Sequence, residues 1–464
     1  MPRIAPLIAL LCAVALVLPA AASASSTQSM TFEARRDLLD PAVRPGALDE
    51  IGGLGVHSLR IVLYWRDVAP SADQRVKPAF DDTDPAGYAW GQYDALIDAA
   101  KARGWTVLLT VSGPVPRWAT NGARDTVTRP QPTLFAHFMQ AVGRHYGPRI
   151  DTWSIWNEPN QPQFLKPQYS THGTALSPGV YRGLFLAAQQ GLRDAGLTSA
   201  RVLLGETSPR GNRRSNIVAP LAFLRGVLCL NSRYHRTASC AKLDVAGYAH
   251  HAYTTHAGPS FRPPSTDDVT IGALSRLTRA LDRAGSAGAL PRRLPIYLTE
   301  FGIQSVPDPI YGVSLQRQAE YRSISERIAY ANPRVVSFSQ YLLRDDLPKA
   351  GAPLIARYPG FESGLKTSAG TVKPAYAGFR LPLAVRRLGA RVSLWGLVRP
   401  ATGPTSATVE YLSGGRWRPL ATVTTDARGA FTRSANYRAG RQWRLTWTGP
   451  DGTVFRSPAT RAYR

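Results

Sequence analysis

Thr152-Trp153-Ser154-Ile155-Trp156-Asn157-Glu158-Pro159-Asn160 reads as a short buried strand that ends abruptly in a carboxylate. Trp153, Ile155 and their neighbours are strand formers, and Pro159 stops the ladder because it has no backbone donor. Such a strand puts Glu158 where barrel enzymes keep their reactive groups, at a carboxyl end. Pro295-Ile296-Tyr297-Leu298-Thr299-Glu300-Phe301-Gly302 repeats the pattern: an apolar run presents Glu300 and breaks at a glycine.

On either side of these stretches, strands and helices alternate. Strands are predicted at Gln28–Glu33, Leu59–Trp65, Trp105–Val111, Asp151–Trp156, Arg201–Gly205, Asp244–His250, Pro295–Thr299 and Val335–Leu342. Helical spacing marks Pro45–Gly55, Tyr93–Arg103, Thr133–Tyr146, Val180–Ala195, Ala219–Leu228, Ile271–Ala284, Leu315–Ala331 and Ala375–Arg380. This alternation, at roughly 40 to 50 residues per unit, predicts an α/β fold, a (β/α)8 TIM barrel over residues 25–382. An open doubly wound sheet is the alternative, but it advertises a Gly-rich phosphate turn after its first strand, and none is present. From about Leu383 short alternating strands follow without helices, which predicts a small Ig-like β-sandwich over 383–464, docked on the barrel. Trp395, Trp417, Trp443 and Trp447 are expected in its core rather than on a sugar-stacking face.

Arg3, the apolar run Leu7 to Leu18 and the small residues Ala22-Ser23-Ala24 predict a secretory signal peptide over 1–24, with an uncleaved membrane anchor as the alternative. The mature chain is then extracellular, with no stable membrane insertion. Cys229 and Cys240 are expected to pair as a disulfide in that compartment, free buried thiols being the alternative. No His or Cys stands beside them at metal-ligand spacing, so no zinc and no cofactor is expected. The formal charge of +25 comes from arginines scattered through every segment, with no basic run interleaved with aromatics. That pattern speaks against nucleic acid and leaves an anionic cell-wall polymer or acidic glycan as the partner the charge would favour.

Two glutamates at the ends of two similar strands suggest a pair facing one reaction centre, the arrangement that cleaves glycosidic bonds with an acid and a nucleophile. Trp156-Asn157-Glu158-Pro159-Asn160 after a fourth strand, with Thr299-Glu300-Phe301-Gly302 after a seventh, resembles clan A of the glycoside hydrolases, the retaining (β/α)8 enzymes that include families 5 and 39. The resemblance covers roughly residues 28 to 381. It implies that Glu158 is the acid/base and Glu300 the nucleophile. Arg60 resembles the family 5 arginine that supports the nucleophile, with a structural salt bridge as the alternative. His251-Ala252-Tyr253 resembles that family's His-x-Tyr pair, in which the tyrosine hydroxyl touches the nucleophile and the histidine lines the site; His250, of opposite parity, packs behind.

Asn157 is expected to hold the sugar 2-hydroxyl. Trp65 and Trp118 are expected to stack on a pyranose or to cover the barrel top. Glu206 is expected to bind a substrate hydroxyl or to make a structural hydrogen bond. Gln340 and Tyr341 occupy the eighth strand where many clan members place a tryptophan, and Ser112-Gly113 stand where family 5 commonly has a histidine. The expectation is a secreted retaining hydrolase that acts on the O-glycosidic bonds of a poly- or oligosaccharide. A non-catalytic glycan- or cell-wall-binding protein on the same scaffold is the rival.

Overall fold

A strand buried on both faces alternates its side chains between them, and here that alternation separates an outer apolar shell from a polar axis. In the computed structural model, which describes residue 25 and residues 28–464, eight strands close into one parallel barrel. They are β1 (Ser29–Glu33), β2 (Ser58–Tyr64), β3 (Thr106–Ser112), β4 (Thr152–Ile155), β5 (Val202–Thr207), β6 (Gly247–His251), β7 (Ile296–Glu300) and β8 (Val335–Tyr341). The signal expected over 1–24 lies outside the described residues. Leu59, Ile61 and Leu63 of β2 and Val107, Leu109 and Val111 of β3 join the apolar core beneath the helices. Between them, the buried Arg60 and Thr110 face the axis. The closure is made by β8, which runs in register along β1 from Ser29↔Ser337 to Glu33↔Tyr341.

The predicted barrel elements are all present, their ends shifted by at most three residues. One shift matters: β2 ends at Tyr64, and Trp65 opens a short helix, Trp65–Val68, that turns its indole away from the axis. No described helix is long and apolar enough to cross a membrane. Cys229 and Cys240 are joined in a disulfide.

The C-terminal strands are β9 (Leu383–Leu388), β10 (Arg391–Leu397), β11 (Ser406–Ser413), β12 (Arg416–Thr424), β13 (Ala430–Asn436), β14 (Gln442–Thr448), β15 (Val454–Arg456) and β16 (Thr460–Arg461). One antiparallel sheet runs β13-β10-β9 and the other β12-β11-β14-β15, with β16 on β14. Between the sheets lie Val385, Leu394, Val409, Leu445, Trp443 and Trp447. Trp395 instead packs on the barrel helix Leu315–Tyr330, against Ile324 and Tyr330. Trp417 is not a core residue: the Arg444 guanidinium covers its ring at 4.3 Å.

The docking is made rigid by charge as well as by Trp395. Glu326, buried on the Leu315–Tyr330 helix, takes Arg399 of the sandwich at 2.5 Å on one oxygen and 3.0 Å on the other. It also pairs with Arg322 one turn back, at 2.5 Å. A lone buried carboxylate between two guanidinium groups is a favourable arrangement only while all three remain, since each charge has lost its water. Glu326→Ala should therefore cost about 3–5 kcal/mol, read from urea unfolding, because it leaves two buried cations facing each other. A loss below about 1 kcal/mol, the size of an exposed pair, would mean that docking does not rest on this contact.

Candidate active site

The site is built around one guanidinium. Arg60 stands on β2, fully buried, and a guanidinium presents its donors as a planar fork. Nη1 donates to Glu300 Oε1 at 2.7 Å and to Glu33 Oε2. Nη2 donates to Glu206 Oε2 at 2.5 Å and to Asn157 Oδ1 at 2.8 Å, while Nε reaches Thr110 and Glu206, both at 3.2 Å. Three carboxylates from β1, β5 and β7 thus share one cation.

The backbone that delivers these groups is held in an uncommon conformation. Trp156, Glu158 and Glu206 have φ of +71°, +39° and +56°, a left-handed region that a residue with a Cβ enters only under constraint. The constraint is visible: the Trp156 amide donates to Val111 O at 2.9 Å, and the Glu158 amide to Glu206 O at 3.0 Å. A Cβ on Gly113 would lie 2.7 Å from the Trp156 ring, so only glycine lets the third strand's exit pass that indole. Gly302 has the same use after β7, where a Cβ would run into the Tyr341 carbonyl.

Glu158 and Glu300 meet. One oxygen of each and one His251 ring nitrogen lie within 4.8 Å of one another. His251 Nδ1 is 2.9 Å from Glu158 Oε1 and 3.4 Å from Glu300 Oε2. Gln161 donates to the second Glu158 oxygen, and the Tyr253 hydroxyl to Glu300 Oε2 at 3.1 Å.

The two carboxyls are pushed in opposite directions. Burial raises Glu158, and the contact with His251 offsets this only in part. Burial acts on Glu300 too, but the charges of His251 and Arg60 and the hydrogen bonds from Arg60 and Tyr253 overcome it and hold Glu300 below the usual carboxylate range. Burial would lower His251, yet the two glutamates raise it. The side chains of Glu158 and Glu300 are 12% and 10% exposed, so both reach solvent at the carboxyl-end face of the barrel.

Several expected lining residues lie elsewhere. Trp65 is wholly buried, stacked on Phe138 at 4.8 Å and edge-on to Trp118 at 5.7 Å, and so has no face for a sugar. Trp118 is buried with it and donates to Pro70 O at 3.0 Å; both pack outside the axis, Trp65 on Phe135 and Phe138 and Trp118 on Phe80. Glu206 has no exposure, and Arg60 and Thr110 occupy its oxygens, so it supports Arg60 rather than touching substrate. Gln340 is turned outward: it accepts from Arg322 at 2.8 Å and donates to Leu342 O and Ser363 O. His250 packs behind the sheet, bonded to Thr207 and to Val269 O, and burial lowers its pKa to about 4.

The sequence reading did not find Glu33, Gln161 or Phe361. Glu33 carries no motif; only its place at the end of β1, level with the arginine of β2, could have marked it. Burial, offset in part by Arg60, raises its carboxyl to about 7, and 6% of its side chain is exposed. Phe361 sits in the loop after β8 and meets Tyr341 at 5.1 Å and Tyr253 at 5.5 Å, an aromatic wall on the Glu300 side. Its loop is pinned by the buried Lys373 ammonium, which reaches Asp345 at 2.6 Å, Ser305 at 3.0 Å and Glu362 O at 3.2 Å.

Glu158, His251 and Glu300 are also the trio, among the described residues, whose donor atoms stand close enough to hold a metal ion. All four carboxylate oxygens already accept from Gln161, His251, Arg60 or Tyr253, which is the donor pattern of a carboxyl pair rather than of a metal nest. Openings of about 530 and 550 Å³ lie at the sandwich edge and at the far end of the barrel, but neither is lined by a residue of this site.

The chain matches no protein-family profile. A stretch of 125 residues, 25% of this chain and 20% of the relative, is 28% identical to Beta-glucosidase 47 of Arabidopsis thaliana. A solved glucosidase from Croceicoccus marinus superposes with a TM-score of 0.52 at 11% identity, over 91% of this chain and 95% of that one. A family 39 glycoside hydrolase from the gut symbiont Bacteroides cellulosilyticus WH2 does so with a TM-score of 0.50 at 16% identity, over 90% and 81%. At such identities the likeness is one of fold. The chain carries the (β/α)8 barrel fold of the clan A glycoside hydrolases, followed by antiparallel β-sheets.

Proposed function

We propose that this protein is a secreted glycoside hydrolase that cleaves a β-linked poly- or oligosaccharide with retention, by double displacement. The observation that carries the reading is the pairing of Glu158, pushed up, with Glu300, held down, at a spacing of 4.8 Å or less between one oxygen of each. Carboxyl groups about 5–5.5 Å apart leave room for direct attack on the sugar, whereas an inverting pair stands about 6.5–9.5 Å apart to admit water.

Glu158 gives its proton to the glycosidic oxygen as the bond from that oxygen to the anomeric carbon breaks. Glu300 attacks the same carbon and forms the glycosyl-enzyme ester. Glu158, now ionised, takes a proton from water, whose oxygen attacks the anomeric carbon and expels Glu300. Arg60 and Tyr253 keep Glu300 ionised before attack and receive its charge when it leaves. Arg60 holds Asn157 Oδ1, so the amide nitrogen is the group left for a sugar hydroxyl. The Cys229–Cys240 disulfide supports an oxidising compartment. The likeness of a 125-residue stretch to a plant protein named Beta-glucosidase 47 supports a β-linkage.

A 2-deoxy-2-fluoro glycoside should label Glu300, located by peptide mass mapping; label on another residue would reject its role. Glu158→Gln and Glu300→Gln should each lower kcat by about a thousandfold or more while leaving the unfolding transition in place. Glycan binding with no hydrolysis by the unaltered chain, over a broad panel, would instead favour the binding-protein reading.

The pH profile follows from the two shifts. Glu300 must be ionised and its pKa is lowered, so activity should persist below the usual carboxylate range before failing in acid. Glu158 must be protonated and its pKa is raised, so activity should fall as pH rises through that value. In Glu158→Gln, assayed with an activated aryl glycoside, the alkaline limb should disappear.

Glu33 gives a separate handle. Its pKa rises from 4.5 unfolded to about 7 folded, so the stability it contributes is complete at acid pH and is lost as pH climbs through that window. The melting temperature of the wild type, taken relative to Glu33→Gln, should fall between about pH 4.5 and 7. A constant difference would mean that Glu33 is ionised throughout.

A further inference from the structure

The arginines that lie scattered along the sequence are gathered by the topology of the sandwich. Residues 383–464 hold fourteen arginines, no lysine and three acids, a net of +11 out of the chain's +25. Three turns, between β9 and β10, β11 and β12, and β13 and β14, lie at one end. Arg391 pairs with both Leu388 and Asn436, and the Tyr437 amide donates to Ala390 O at 2.9 Å, which joins the first turn to the third. Arg441 lies over the Tyr411 ring at 4.4 Å, and Tyr411 pairs with both Trp443 and Arg418, which brings in the second turn.

Arg387 and Arg391, Arg416 and Arg418, and Arg438 and Arg441 therefore share one tip. No aspartate or glutamate occurs in 386–391, 413–418 or 437–442. Glu410 is taken by Arg444 at 2.6 Å, and Asp426 and Asp451 sit in turns at the opposite end, which docks on the barrel through Trp395, Arg399 and Asp426. Among the described residues, none of the six has a carboxylate partner within 4.0 Å.

We infer that this tip is a docking surface for a linear acidic glycan, a sugar polymer with closely repeated carboxylate groups; the choice of a sugar polymer rests on the glycosidase reading above. Six unneutralised guanidinium groups on three adjoining turns present a repeated cationic face, and such a face attracts a chain of repeated anions more strongly than a single small one. Arg387 over Tyr437 at 4.1 Å and Arg441 over Tyr411 are steadied by ring faces, so less freedom is lost when an anion arrives. The same stacking covers the aromatic faces that nucleic acid bases would need. A single large apolar side chain, Leu388, is strongly exposed there, which is too little to enter a membrane.

The test uses the full chain and two matched variants. One carries Arg391→Ser, Arg416→Ser, Arg418→Ser and Arg438→Ser. The other removes four exposed barrel arginines, as Arg75→Ser, Arg214→Ser, Arg262→Ser and Arg292→Ser, so that net charge is equal. Binding to immobilised polyglycerol phosphate and to polygalacturonate is measured from about 50 to 500 mM salt, where screening of exposed charges becomes strong. The wild type should bind at low salt and release at high salt. The tip variant should bind at least about tenfold more weakly and the barrel variant should not, with hydrolysis of a small neutral aryl glycoside unchanged in both. No binding to polygalacturonate at low salt, tighter binding to polyglycerol phosphate, equal weakening in both variants, or tighter binding to duplex DNA or phosphatidylglycerol vesicles would overturn the proposal.

Discussion

A single buried cation shared by three carboxylates is the constraint from which the centre of the barrel follows. Arg60 is buried away from solvent, and each of its donors ends on Glu33, Glu206, Glu300, Asn157 or Thr110. A buried charge without partners would be untenable, and three acids without a cation equally so; each side makes the other possible. Two of the acids answer to that cation differently. Burial raises Glu33 to about 7, with Glu300 and Glu206 adding to the shift against Arg60, while Glu300, which faces both His251 and Arg60, is held down. The difference between these two acids is therefore one of neighbours rather than of depth.

Around that centre the loops are held from outside. The loop after β8, which brings Phe361 against Tyr253, has no strand or long helix of its own and depends on the Lys373–Asp345 pair. Gln340, turned away from the axis, joins Arg322 to the Leu342 and Ser363 carbonyls. Arg322 in turn shares Glu326 with Arg399 of the sandwich. A continuous set of polar contacts thus runs from the second domain to the rim of the cleft.

The fold was legible because it rests on period and punctuation: apolar runs of strand length, helical spacing and glycine stops place the barrel elements to within three residues. Glu158, Glu300, Arg60, His251 and Tyr253 were legible too, since motif and strand parity fix which side chains face the axis. Trp65 was not, because one residue beyond the end of β2 the alternation stops and a helical turn sends the indole outward. Glu33 and Phe361 were hidden for a different reason. Their importance comes from neighbours distant in the chain, and no local pattern records a pKa or a loop anchored by a buried lysine. The tip arginines are the same case at the scale of a domain: no short window contains more than a few of them.

The Arg399–Glu326–Arg322 contact has a mechanical meaning as well. Many two-domain proteins hang their second module on a supple tether, which lets the two halves find separate purchase. Here the halves are bolted together, so wherever the sandwich comes to rest, the mouth of the barrel faces one direction at one height above it. The spacing between the sandwich tip and the cleft is then a matter of rigid shape, and can be altered only by reshaping the joint.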